Sequence, residues 1–118
     1  IPIPISKRKL KKRGFNQSWE IARNIQVPKT VRKIPDAMGR RGDEAPQATL
    51  NRAMRKEKME GMFYLNTNWC GRFKDRTVIV FDDVMTSGAT MNAIAALLKR
   101  EGAKHVSAWV VLRTLPKP

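Results

Sequence analysis

Thr77-Val-Ile-Val-Phe-Asp-Asp-Val-Met-Thr-Ser-Gly-Ala-Thr-Met91 is the stretch whose reading decides the fold. Its β-branched and aromatic run, residues 78–81, has the character of a buried strand and ends on two adjacent carboxylates, Asp82 and Asp83. Thr86, Ser87, Gly88, Ala89 and Thr90 come next. Beyond them Met91, Ile94, Ala95 and Leu98 recur at helical spacing as far as Arg100, and Gly102 supplies the stop. Val84 and Met85 are expected to be packing residues.

In an open α/β sheet, ligands bind at the carboxyl ends of the strands, so Asp82 and Asp83 are expected to project into a crevice at the strand tip. Gly88 allows close backbone approach to an anion, and the amides opening the helix point toward that anion with the helix dipole behind them. The hydroxyls of Thr86, Ser87 and Thr90 add donors for phosphate oxygens. Carboxylates repel phosphate but accept from vicinal sugar hydroxyls, and they suit a Mg²⁺ ion bridging sugar and pyrophosphate. The set fits a ribose 5-phosphate better than a nucleoside triphosphate.

The ordered combination of apolar run, acidic pair, two apolar residues and Thr-Ser-Gly-Ala-Thr resembles the 5-phosphoribosyl-1-pyrophosphate (PRPP) signature of type I phosphoribosyltransferases. Ile1-Pro-Ile-Pro-Ile5, Arg13-Gly-Phe-Asn-Gln17, Pro46-Gln47, Gly61-Met-Phe63 and Leu112-Arg-Thr114 are similar to landmarks of the ComF/GntX group within that class. The resemblance covers nearly the whole chain. It implies a three-layer α/β fold with a mostly parallel sheet, and transfer of a phosphoribosyl group from PRPP to a nitrogenous acceptor. It also implies a link to DNA uptake in competent bacteria.

By the same resemblance, Asp82 and Asp83 hold the ribose hydroxyls and, indirectly, Mg²⁺, while residues 86–90 hold the 5-phosphate. The loop after the first strand, residues 6–13, grips pyrophosphate through Ser6, Lys7 and Arg8; Arg113 and Thr114 lie on the acceptor side. The chain departs from the group at Lys58 and Glu60, where Asn and Arg are common, and in a longer segment before Pro46. Relatives often carry a cysteine-rich zinc ribbon upstream and an extra helix, so the chain reads as N-terminally truncated. If the first core helix is lacking, a bare sheet face and homodimerisation or instability are the expected results.

The 118 residues, 42% hydrophobic, suit one domain spanning residues 1–118. A single cysteine, Cys70, excludes a disulfide framework and is expected to be a semi-buried filler in a cytoplasmic protein. No apolar stretch approaches the ~18 residues of a membrane span. Of the formal charge of +14, residues 1–61 carry +10, with sixteen basic against six acidic side chains. The cluster Lys7, Arg8, Lys9, Lys11, Lys12 and Arg13 and a second at Arg52, Arg55, Lys56 and Lys58 favour polyanionic partners. Single-stranded DNA is therefore the competing ligand, bound by a non-catalytic module with steep salt dependence.

Elsewhere, residues 1–5 read as a strand, 16–25 as a helix capped by Asn16, 31–34 as a strand and 36–45 as a loop with Arg40 and Arg41 at its tip. Residues 52–60 read as a helix, with strands at 62–65 and 106–112. Phe15, Trp19, Ala22 and Ile25 are expected to be core. Trp109 also falls in a core-like pattern, which leaves Trp69 as the candidate for base stacking. His105 lies at the wrong end of its strand to be a general base. A phospho-receiver is excluded because no Asp follows Asp83, and a P-loop because Gly-Lys-[Ser/Thr] is absent.

Overall fold

A computed structural model describes residues 1–42, 51–85 and 88–114. Its centre is β3 (Thr77–Met85), which pairs in parallel with β4 (His105–Arg113) through α4 (Ala89–Arg100), a strand–helix–strand unit. On the other side of β3 the chain start runs parallel to it. The Ile3 amide donates to Phe81 O at 2.8 Å, Phe81 donates to Ile1 O at 2.8 Å, and the terminal amine of Ile1 donates to Ile79 O at 2.7 Å. Here a full strand over residues 1–5 was expected, yet only the Pro2–Phe81 bridge forms. Past Ile3 the chain leaves β3, and Ser6 makes its own parallel bridge with Arg40, while Pro2 and Pro4, which have no N–H to donate, sit on the edge turned away from β3.

Val78 and Val80 share a buried cluster with Ile94, Leu97 and Leu98 of α4, so α4 closes one face of the sheet. The opposite face meets α2 (Gln17–Ala22), whose N-cap Asn16 accepts from the amides of Ser18 and Trp19 and donates through Nδ2 to Ile3 O at 3.0 Å. Regular helix ends at Ala22, and turn hydrogen bonds carry the chain on to Ile25. The expected stripe is only half realised. Phe15 is exposed, while Trp19, Ala22 and Ile25 line an open cavity of about 810 Å³ together with Ile79, Phe81 and Trp109. Trp109, 47% exposed, is thus at the rim of the core and not within it.

A second layer comprises α3 (Arg52–Gly61) and the antiparallel pair β1 (Met38–Arg40) and β2 (Phe63–Leu65). Part of the expected 36–45 loop is therefore strand, with Arg40 in β1 and Arg41 anchored on the carbonyls of Gly61 and Phe63; residues 43–45 lie outside the described region. The strand expected at 31–34 does not form. Arg32 stacks instead on Trp69, and Lys33 donates to the carbonyls of Arg23 and Ile25, so this segment has side-chain anchors but no backbone ladder. Trp69, in the short 3₁₀ turn Thr67–Trp69, stacks on Phe73 and carries the guanidiniums of Arg32 and Arg72, so its ring is already engaged. Cys70 and Val84 are exposed, contrary to the packing roles expected of them, whereas Met85 packs against the core.

The expected loop at 6–13 is a helix, α1 (Lys7–Arg13). Ser6 caps it by accepting from the Lys9 amide at 3.2 Å, and Gly14, at φ 82°, ends it in the left-handed conformation that suits glycine. Basic residues in its last turn complement the helix dipole.

Ile94 and Leu98 have no exposed surface. Leu98→Ala is expected to cost about 2–5 kcal/mol of stability, whereas Leu112→Ala on the exposed strand should cost under about 1 kcal/mol; urea unfolding midpoints of the two variants check the contrast.

Candidate functional site

The parallel register brings several sequence-predicted residues to one edge of the sheet. Asp82 and Asp83 are half-buried within β3, and the strand continues past them to Met85, paired with β4 at Asp82–Val110, Val84–Leu112 and Met85–Arg113. They are therefore not at a strand tip as expected, but within its last turn of pairing. Arg113 closes β4, and the Thr114 amide donates to Met85 O at 3.0 Å, which places both beside the end of β3. His105 is exposed at the other end of β4.

Gly88 is the N-cap of α4 with φ 81° and ψ 0°, a left-handed conformation that a side chain would strain. Its carbonyl accepts the Asn92 amide at 2.8 Å and starts the helix. The helix N-terminus, with Ala89 and Thr90 in its first turn, thus lies a short step beyond the acidic pair. Thr86 and Ser87 fall outside the described residues. On the neighbouring strand path, the parallel run of residues 1–3 carries the chain toward the same edge before Ser6 opens α1; Ser6 is buried, whereas Lys7 and Arg8 are exposed.

The Asp82 carboxyl is pushed up to about 6, first by burial and then by its hydrogen bond with Asp83 and the charge of that neighbour, against the lowering effect of the Val84 and Asp83 amides. Two carboxyls held this close disfavour joint ionisation, and a divalent cation between or beside them would relieve that repulsion. Among the described residues no third His, Cys, Asp or Glu joins them in a metal-sized cluster.

Sequence reasoning missed Ser18. Buried at 5% exposure on α2, its hydroxyl donates to Asp83 Oδ1 and accepts the Asp83 amide, both at 3.3 Å. The available signal was its place two residues after the N-cap Asn16, where a helix start faces the sheet end.

A family model described as "Phosphoribosyl transferase domain" matches residues 10–117. The chain belongs to this family. The match agrees with the parallel α/β architecture and with the acidic pair followed by a left-handed Gly at a helix start. The "DNA utilization protein YhgH" of Escherichia coli O6:H1 is 34% identical over 115 residues, 98% of this chain and 49% of that protein. Haemophilus influenzae "Competence protein F" is 28% identical over 120 residues, 96% of this chain and 49% of its own length. The resemblance to the ComF/GntX group is thereby borne out. The chain spans about half the length of the curated relatives it matches. No solved structure matches it significantly. Among the described residues, no helix is long and apolar enough to cross a membrane.

Because folding raises the Asp82 pKa from 3.8 to about 6, the stability it contributes is complete below pH 4 and is lost as pH rises through 6. Asp82→Asn should flatten this part of the pH–stability curve and leave the chain at pH 7 at least as stable as the parent, as read from urea midpoints between pH 4 and 7.

Proposed function

We propose that this domain binds PRPP and transfers its phosphoribosyl group to a nitrogenous acceptor. The observation that carries the reading is the acidic pair of β3 followed five residues after Asp83 by the left-handed Gly88 at the start of α4. Carboxylates accept from the ribose hydroxyls, and the helix start offers amides to the 5-phosphate. Thr86, Ser87 and Thr90 contribute hydroxyls to that phosphate, and Ser6, Lys7 and Arg8 stand on the pyrophosphate side. Arg113 and Thr114 face the acceptor.

Bond cleavage at the anomeric carbon builds positive charge on the sugar ring, so fixed carboxylates and an oriented leaving group lower the barrier without a covalent nucleophile. Asp82 and Asp83 suit the hydration shell of a Mg²⁺ ion, which when bound would neutralise the pyrophosphate. A cytoplasmic setting fits the free thiol and the phosphorylated substrate.

The second reading rests on α1. Among the described residues, Lys7, Lys9, Lys11, Lys12 and Arg13 form no ion pair, and all are exposed. Such a helix matches the charge of a single-stranded DNA backbone, and relatives carry the names of DNA utilization and competence proteins.

Asp83→Asn should weaken Mg²⁺–PRPP binding by about tenfold, the order expected when a charged hydrogen-bond acceptor is neutralised; unchanged affinity by calorimetry removes the assignment. Comparing thermal shifts with Mg²⁺–PRPP and with a single-stranded oligonucleotide separates the readings. Stabilisation by the oligonucleotide alone, abolished by salt, favours the binding module.

A further inference from the structure

We infer that Ser18 is a positioning residue, whose hydroxyl sets the orientation of Asp83 toward the sugar of the bound ligand; this rests on the sugar-phosphate reading above. Three observations support it. Ser18 is one of two polar side chains buried among the described residues, and its hydroxyl is aimed at Asp83 from a different element, 65 positions away in sequence. The contact is two-sided: Oγ donates to Asp83 Oδ1 and accepts from the Asp83 amide, so backbone and carboxylate are clasped by the same hydroxyl. Finally, Ser18 is itself fixed. Asn16 Oδ1 accepts its amide at 3.0 Å, while Asn16 Nδ2 ties the helix start to Ile3 O, the residue whose amide bonds Phe81 of β3.

The chain of contacts from Phe81 through Ile3, Asn16 and Ser18 to Asp83 therefore begins and ends on β3. A carboxylate on a strand end can rotate about its side-chain bonds, and an unheld one loses part of its binding energy in being ordered by the ligand. At 3.3 Å, both Ser18 contacts are long for hydroxyl hydrogen bonds, as happens where a polar network tightens only when ligand arrives. Oδ1 is engaged by the hydroxyl that also holds the Asp83 amide, so Ser18 sets the plane in which this carboxylate meets the vicinal hydroxyls of a ribose. Phosphate, which lacks carbon-borne hydroxyls and is repelled by carboxylate, has no use for this orientation.

The difference between the two ligand parts supplies the test. Calorimetry with ribose 5-phosphate and with inorganic phosphate is carried out on the parent chain and on Ser18→Ala. The expected result is a loss of about fivefold or more for ribose 5-phosphate, in keeping with one hydrogen bond to a charged group, with phosphate affinity unchanged. If Ser18→Ala binds both ligands like the parent, or loses both in equal measure, the positioning role is overturned while the sugar-phosphate site stands. If the parent binds neither ligand, the site reading itself falls and the role of Ser18 with it.

Discussion

The double-sided hydrogen bonding of β3 is the constraint on which the rest depends. Parallel pairing with β4 on one side and with residues 1–3 on the other fixes the strand's register. That register in turn decides which face carries Val78 and Val80 into the core with α4. A slip of one residue would exchange the faces and place the acidic pair differently against both helices. Because all three segments run the same way, their carboxyl ends gather the acidic pair, the α4 start, Arg113 and the approach to α1 along one edge.

Charge is distributed around that edge with opposite signs on different elements. Two carboxyls crowd each other on β3, one of them held protonated well above the ordinary range, while α1 displays a row of exposed cations. The crowding disfavours joint ionisation of the two carboxyls. Both readings of function draw on this edge, and they differ in whether the sugar or the polyphosphate backbone dominates.

Much of the framework around the candidate site was legible because its signals are local. The apolar run, the acidic doublet, Gly88 and the 3.6-residue spacing of Met91, Ile94 and Leu98 sit within one continuous stretch, and α4 and β4 follow from it. What was not legible depends on partners distant in sequence. Ser18 acquires its meaning only when α2 is laid against β3, and β1 is a strand because β2 lies beside it, not because Met38-Gly-Arg40 prefers that state. Residues 31–34 show the reverse, a strand-like composition with no ladder to join. For α1, resemblance pointed to a loop while the local signals, Ser6 as cap and Gly14 as stop, already specified a helix.

The two prolines at the chain start have a consequence for assembly. A sheet that offers donors along both margins can be extended from either side, copy after copy, into a fibre. Here Pro2 and Pro4 withhold donors from one margin of the β3–β4 sheet, so strand addition to that sheet is favoured along β4. Two copies meeting through β4 would cover the donor-bearing margin of this sheet, so that its growth terminates at a closed pair.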